Sequence, residues 1–344
     1  MSSWLMPAET APHERTWMAW PASGYVLGDG PAEAEEARTA WAAVANAIVD
    51  HEPVSMLVTA DGRREARRRL SASVVLHDCP LDDAWYRDSG PTFVLGKGGR
   101  LGAVNWVFNG WGQQEWASWD HDALASLVAT EATGAERIDS SMVNEGGALH
   151  TDGAGTFLVT ETVQLDPLRN PGWTKADVEA ELARTVGATT VIWLPRGLTR
   201  DSQAYGTRGH VDIVATFTEP GRVLLHHQRD PAHPDHEISA ELIALLSGAT
   251  DAAGRTLTVT DLPAPRILAE RSGFVDYSYV NHFVLNGAVV VGTFDDPIDD
   301  EAHEILADAY PGREIIGVDA RPLFARGGGV HCITQQQPAT PRLP

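Results

Sequence analysis

Apolar residues along this chain alternate between short continuous runs and segments where they recur every three or four positions. The run at residues 54–59 predicts a buried strand, residues 63–70 a short arginine-rich helix, and residues 73–77 another strand. The first long helix is predicted over residues 33–49, where alanines, Trp41, Val44 and Ile48 fall on one face. Further helices are predicted at residues 115–130, 175–186, 235–246 and 299–309. Strands are predicted at 156–160, 190–194, 222–226, 256–260 and 288–292. Gly96-Lys97-Gly98-Gly99 reads as a hairpin turn between strands. Each helix leads into a strand, so the chain repeats a strand-and-helix unit about five times at a spacing of ~60 residues. That is an α/β pattern. No Ser/Gly-rich linker or low-complexity stretch divides it, and one domain over residues 1–344 is expected.

Composition sharpens this in two ways. Hydrophobic residues make up 43% of the 344, and charged residues 21%, as in a globular protein with a substantial core. The balance is acidic, 47 Asp and Glu against 26 Lys and Arg, for a net charge of -21. Such a surface has no electrostatic footprint for nucleic acid or an anionic membrane, and would suit a cationic small molecule. Met1-Ser2-Ser3-Trp4 opens without a basic or apolar leader, and no apolar run approaches a bilayer span. Cys79 and Cys332 lie too far apart in sequence to suggest a disulfide framework, and the cytoplasm is the expected setting. Self-association into a homo-oligomer stays open.

Four segments join turn residues to ionisable side chains. In Arg326-Gly327-Gly328-Gly329-Val330-His331-Cys332 the thiol sits at the edge of a glycine run that lets a ligand approach closely. Cys332 is either a nucleophile or a small buried hydrophobe. Asp88, before Ser89-Gly90-Pro91, is a site carboxylate or an Asx-turn residue. Glu145, before Gly146-Gly147, is a catalytic carboxylate or a turn residue. His210-Val211-Asp212, if extended, would project an imidazole and a carboxylate from one face, suited to acid–base work or to a structural pair. No Gly-x-Ser-x-Gly, Walker, Cys-x-x-Cys or His-Glu-x-x-His motif occurs. The His-x-Asp triplets do not form a binuclear metal array, and no metal or organic cofactor is expected.

Taken in order, these segments resemble the agmatine deiminase family of guanidine-modifying, or pentein, enzymes. The resemblance runs from Met6-Pro7-Ala8-Glu9 and Thr16-Trp17-Met18-Ala19-Trp20-Pro21 through Trp85-Tyr86-Arg87-Asp88-Ser89-Gly90-Pro91, Glu145-Gly146-Gly147, Arg169-Asn170-Pro171 and Gly209-His210-Val211-Asp212 to residues 327–338. It implies a five-bladed α/β propeller with pseudo-fivefold symmetry. It also implies roles: Cys332 as nucleophile toward a guanidinium carbon, His210 as proton donor and then base, and Glu145 as its orienting partner. Asp88 and Asp212 would clamp the guanidinium, and Trp85 would line the substrate's apolar stem. The implied reaction is deimination of a small cationic guanidino compound, agmatine first, through a covalent thiouronium. A guanidino acid, an arginine derivative, peptidyl-arginine or amidine transfer are alternatives.

Three departures from the family pattern bear on the substrate's far end. Ile213 follows Asp212 where an asparagine is usual, and Val330 stands two residues before the cysteine in place of an asparagine. The loop at residues 198–208 is longer and less acidic than usual. Asp201 and Arg208 in that loop are candidate contacts to the substrate. Arg200 and Arg208, if they face the channel, would disfavour an amine and favour a carboxylate.

Overall fold

The computed structural model describes residues 3–203, 205–271 and 273–340. Among the described residues, five sheets repeat one plan: an antiparallel pair of strands, a helix, and a third strand parallel to the second. In the second blade Thr92–Gly96 turns through Lys97–Gly99 into Arg100–Val107, as the hairpin reading predicts, and the helix Asp122–Thr133 leads to Glu136–Val143. The third blade is His150–Thr151, Thr156–Thr160, helix Lys175–Thr185 and Thr190–Leu194. The fourth is Ala215–Glu219, Arg222–His227, helix Asp235–Ser247 and Thr258–Pro263. The fifth is Phe283–Leu285, Ala288–Thr293, helix Asp299–Ala309 and Glu314–Asp319.

The first blade closes the ring. Its antiparallel partner comes from the far end of the chain: Thr334–Pro338 pairs with His13–Ala19, Thr334 opposite Met18. Val54–Val58 and Val75–Asp78 then add in parallel through the helices Pro31–Val49 and Arg63–Arg69. This is the pseudo-fivefold α/β propeller that the strand-and-helix repeat implies.

Local sequence explains most boundaries. Pro31 begins its helix at a position that needs no backbone N–H, and Ala37, Trp41, Val44 and Ile48 bury one face. Thr174 and Asp177 cap the third blade's helix reciprocally. Val54–Val58 is buried at every position, as expected for a strand covered on both faces. Two predicted elements shift most. The helix expected over 115–130 begins at Asp122, whose carboxylate accepts from the backbone N–H groups of Asp82 and Asp83. It runs on to Thr133, where left-handed Gly134 stops it. Trp116 and Trp119 sit at helical spacing, but the loop before the helix holds them. The strand expected at 256–260 lies at Thr258–Pro263, in register with Arg222–His227.

Candidate active site

A short turn precedes the first strand of each blade, and these turns meet. Asp88 lies in Tyr86–Ser89 before Thr92, Glu145 stands just ahead of Gly146–Ala148 before His150, and Asp212 lies in Val211–Ile213 before Ala215. Asn281 lies two residues before Phe283, and Cys332 lies in His331–Ile333 before Thr334. The expected extended segment at His210–Asp212 is therefore corrected to a 3-10 turn, with His210 as its N-cap. The two side chains still share the site, brought together by the turn and not by strand alternation.

Gly147 is where the turns crowd. A Cβ there would lie 2.6 Å from His210 Nδ1, 2.9 Å from Asp212 Oδ2 and 3.0 Å from Asp88 Oδ1, so only glycine fits. Its N–H donates to Asp88 Oδ1 at 3.0 Å, and Trp111 Nε1 donates to Asp88 Oδ2 at 2.8 Å. The Cys332 thiol lies 3.5 Å from Asp212 Oδ2, and Asn281 Nδ2 donates to the sulfur at 3.3 Å. His210 Nε2 lies 3.3 Å from Glu145 Oε2, and its Nδ1 lies 3.8 Å from Asp88 Oδ1. Arg169 Nε bonds both Glu145 oxygens, at 3.0 and 3.1 Å.

Electrostatics sort these groups. Burial pushes Asp88 up, His210 pulls it down, and Asp212 and Glu145 raise it again, leaving it at about 6. Burial works against a charged His210, yet Asp88, Glu145 and Asp212 outweigh it and bring it up to about 9. Glu145 lies below the usual carboxylate range: burial opposes this, and Arg169 and His210 prevail. Burial, then Asp212 and Asp88, push the Cys332 thiol far up. Among the buried polar atoms left without a hydrogen-bond partner are His210 Nδ1 and Asp212 Oδ1, and also Trp85 Nε1. Orphaned buried atoms are costly, and a bound group that satisfies them binds where they point.

Asp88 and Cys332 line a narrow chamber together with Trp85, Trp111, Trp116, Tyr25 and Tyr205. Tyr205 stacks on Tyr25 with ring centroids 5.4 Å apart, and Trp116 lies 5.3 Å from Tyr205.

The expectation for Asp201 and Arg208 is corrected. Asp201 Oδ1 accepts from Thr207 N, and Oδ2 accepts from Thr207 Oγ1, Gly209 N and His210 N, all within 2.9 Å. That carboxylate folds its own loop and sets the backbone of His210. Arg208 has a positive φ of 74°, turns its Nε to Asp166 Oδ2 at 3.3 Å and does not line the chamber. Burial of four loop donors explains the first, and a carboxylate already paired to Arg169 explains the second. Asn281, Trp111 and Arg169 carry site contacts that residue-by-residue reading did not assign. Arg169 had a signal in its Arg-Asn-Pro motif, and Asn281 in its place ahead of the fifth blade.

The family model of Porphyromonas-type peptidyl-arginine deiminases matches residues 5–338, and the chain belongs to that family. A protein of Streptomyces coelicolor, provisionally named an agmatine deiminase, is 53% identical over 336 residues, covering 97% of this chain and 99% of its own length. The agmatine deiminase of Pseudomonas fluorescens strain SBW25 is 39% identical over 359 residues, covering 97% and 95%. The solved structure of the Enterococcus faecalis agmatine deiminase superimposes with a TM-score of 0.91 at 32% identity, over 98% of this chain and 96% of that one. Among the described residues no helix is long and apolar enough to cross a membrane.

Proposed function

We propose that this protein hydrolyses agmatine to N-carbamoylputrescine and ammonia, through a thiouronium on Cys332. The observation that carries the reading is the pair of buried orphan atoms, Asp212 Oδ1 and His210 Nδ1, on side chains packed against Cys332 and Asp88, which line one chamber. A planar cation with several N–H groups suits two carboxylates, which orient it through charge-assisted hydrogen bonds. Amidine carbons are poor electrophiles, and a thiolate attacks them where water does not.

Burial and two carboxylates hold the thiol protonated until a cation enters. The guanidinium supplies the charge that lets the proton leave, so binding itself activates the sulfur. The Cys332 thiolate then forms a bond to the guanidinium carbon. His210, brought up to about 9, is protonated at neutral pH and gives its proton to the departing nitrogen. Ammonia leaves and the S–C bond remains. The neutral imidazole next accepts a proton from water, whose oxygen adds to the same carbon. The S–C bond breaks, the ureido product forms, and Glu145 keeps His210 oriented and charge-balanced throughout.

The chamber supports an amine or apolar tail over a carboxylate. Its described lining residues include no Lys or Arg, and its outer wall is aromatic, a surface that attracts ammonium ions. The kinship with two relatives named agmatine deiminase supports the same substrate. A cytoplasmic setting fits a small metabolite as substrate. Ammonia and ureido product measured across agmatine, arginine and peptidyl-arginine test the assignment. Agmatine should lead by at least ~10²-fold in kcat/KM, the margin a site gains by leaving a buried charge unpaired on the wrong substrate. A preference for arginine or peptidyl-arginine would overturn it, and transfer of the amidino group to an added amine would replace hydrolysis by amidine transfer.

A further inference from the structure

A second ionic array lies behind the nucleophile, and the reaction above makes no use of it. His331, next to Cys332, is only 3% exposed. Its Nδ1 lies 2.8 Å from Asp212 Oδ2 and its Nε2 lies 2.7 Å from Glu9 Oε1. A neutral ring would set one lone pair against a carboxylate; with both nitrogens protonated, both donate. Burial and Arg87 work against that charge, and Glu9 and Asp212 overcome them, so His331 is raised above its ordinary value. Around Glu9 stand Arg87 at 3.5 Å, His150 at 3.8 Å and the Gln336 amide at 3.4 Å. His282 shares this pocket but bonds Tyr310 and, driven down to about 4 by burial, stays neutral. Asp212 is faced in turn by His210, Arg87 and the Cys332 thiol, with Asp88 across the chamber.

The two clamp aspartates make an internal comparison. Both are buried among carboxylates, and both face His210. Asp88 accepts only neutral donors and is pushed up to about 6, while Asp212 stays below the usual carboxylate range despite its burial. The strongest influence holding Asp212 ionised is the imidazolium of His331.

We propose that His331, clamped from behind by Glu9, is the positioning residue that fixes Asp212 for the guanidinium, holding Oδ2 and leaving Oδ1 without a protein hydrogen bond. This rests on the guanidine-hydrolase reading. Its logic is that crowded carboxylates cannot all ionise unless a fixed cation offsets them. His331 meets the substrate only through Asp212.

The test compares His331→Ala, His331→Asn and Glu9→Gln in the full chain, following agmatine turnover and affinity against pH. His331→Ala should lower kcat/KM on the order of 10–100-fold, as when the partner behind a metal ligand is removed. The acid limb of kcat/KM should move to higher pH and steepen by about one proton, because Asp212 now takes up a proton before binding. His331→Asn keeps an amide donor near the Nδ1 position but not the charge, so it should recover part of the loss in kcat/KM while the limb stays displaced toward higher pH. Glu9→Gln should shift the limb in the same direction as His331→Ala, by less. Alanine and asparagine variants that lose activity equally, with the limb unmoved, would reduce His331 to a packing residue and overturn the proposal. If His331→Ala fails to fold, an unmoved limb in both His331→Asn and Glu9→Gln overturns it as well. Absence of ammonia release by the unaltered protein would count against the reaction itself. Normal turnover there with unmoved limbs in the variants would count against His331 alone.

Discussion

The two flanks of the site rest on different parts of the molecule. Asp212 and Cys332 lean on His331, Glu9 and Arg87, and Arg87 NH1 donates to Gln336 in the strand that closes the ring. His210 and Glu145 lean on Arg169, which also bonds Asp166 and the carbonyl of Thr207. Asp166 in turn meets Arg208, and Asp201 ties residues 207–210 together. The nucleophile flank is thus built into the sheets of the first blade. The acid–base flank shares its hydrogen bonds with the loop that brings Tyr205 to the chamber mouth. Changes at the mouth should therefore reach His210 and leave the thiol's setting intact.

The comparison breaks most sharply at the sulfur. Cys332→Ala should lower ammonia release by at least ~10³-fold, the scale of removing a nucleophile, with agmatine binding kept by the carboxylates. Cys79→Ala, whose sulfur bonds only the Pro80 carbonyl, should turn over normally; the reverse pattern would reassign the nucleophile. Asp212→Asn and Asp88→Asn come next, each expected to cost ~10²–10³-fold in kcat/KM by removing a charged acceptor from the reacting group. Steady-state kinetics check both, and two normal variants would end the clamp assignment.

Arg169→Gln separates the flanks. It leaves Glu145 buried with one charge fewer around it, which should cost about 3–5 kcal/mol of stability and lower kcat more than affinity. Thermal unfolding and kcat against KM measure this, and a pure loss of affinity would place Arg169 on the binding side. Tyr205→Ala is milder. Losing one aromatic face at the mouth should raise KM for agmatine by roughly 2–30-fold, from a cation–π contact of about 0.5–2 kcal/mol. An unchanged KM would remove Tyr205 from the substrate's path.

Proton linkage gives the finest distinction. The thiol is held high before binding and is lowered once the cation sits beside it, so agmatine binding should release about one proton. Consequently kcat/KM should climb with pH toward about 9, where His210 begins to lose its proton. Below about 6 the climb should steepen, because Asp88 must also lose a proton before it can hold the cation. Calorimetry in buffers of different ionisation enthalpy and a pH–rate profile read both, and proton uptake on binding would contradict the scheme.

Much of this was written in local pattern. Val54–Val58 and Pro31–Val49 announce themselves because continuous burial and helical spacing leave a trace within one segment. Asp88, Glu145, His210 and Cys332 stood out because each sits beside glycine or proline turns. Asn281 did not, since Tyr279-Val280-Asn281-His282 has no unusual residue and its role comes only from its place ahead of the fifth blade. Asp201 and Arg208 were misplaced for a related reason. An acidic and a basic residue in a loop look alike whether they face a ligand or each other's neighbours, and only the fold reveals that Asp201 is spent on four donors of its own loop.

The covalent role of Cys332 is the claim on which the rest depends, and a guanidinium-shaped electrophile tests it directly. Incubation with an amidine bearing an α-chloro group, followed by peptide mapping and an ammonia assay, should show Cys332 alkylated, activity lost in proportion, and agmatine protecting both. Labelling of Cys79 instead, or full ammonia release from protein whose Cys332 is completely alkylated, would contradict the account.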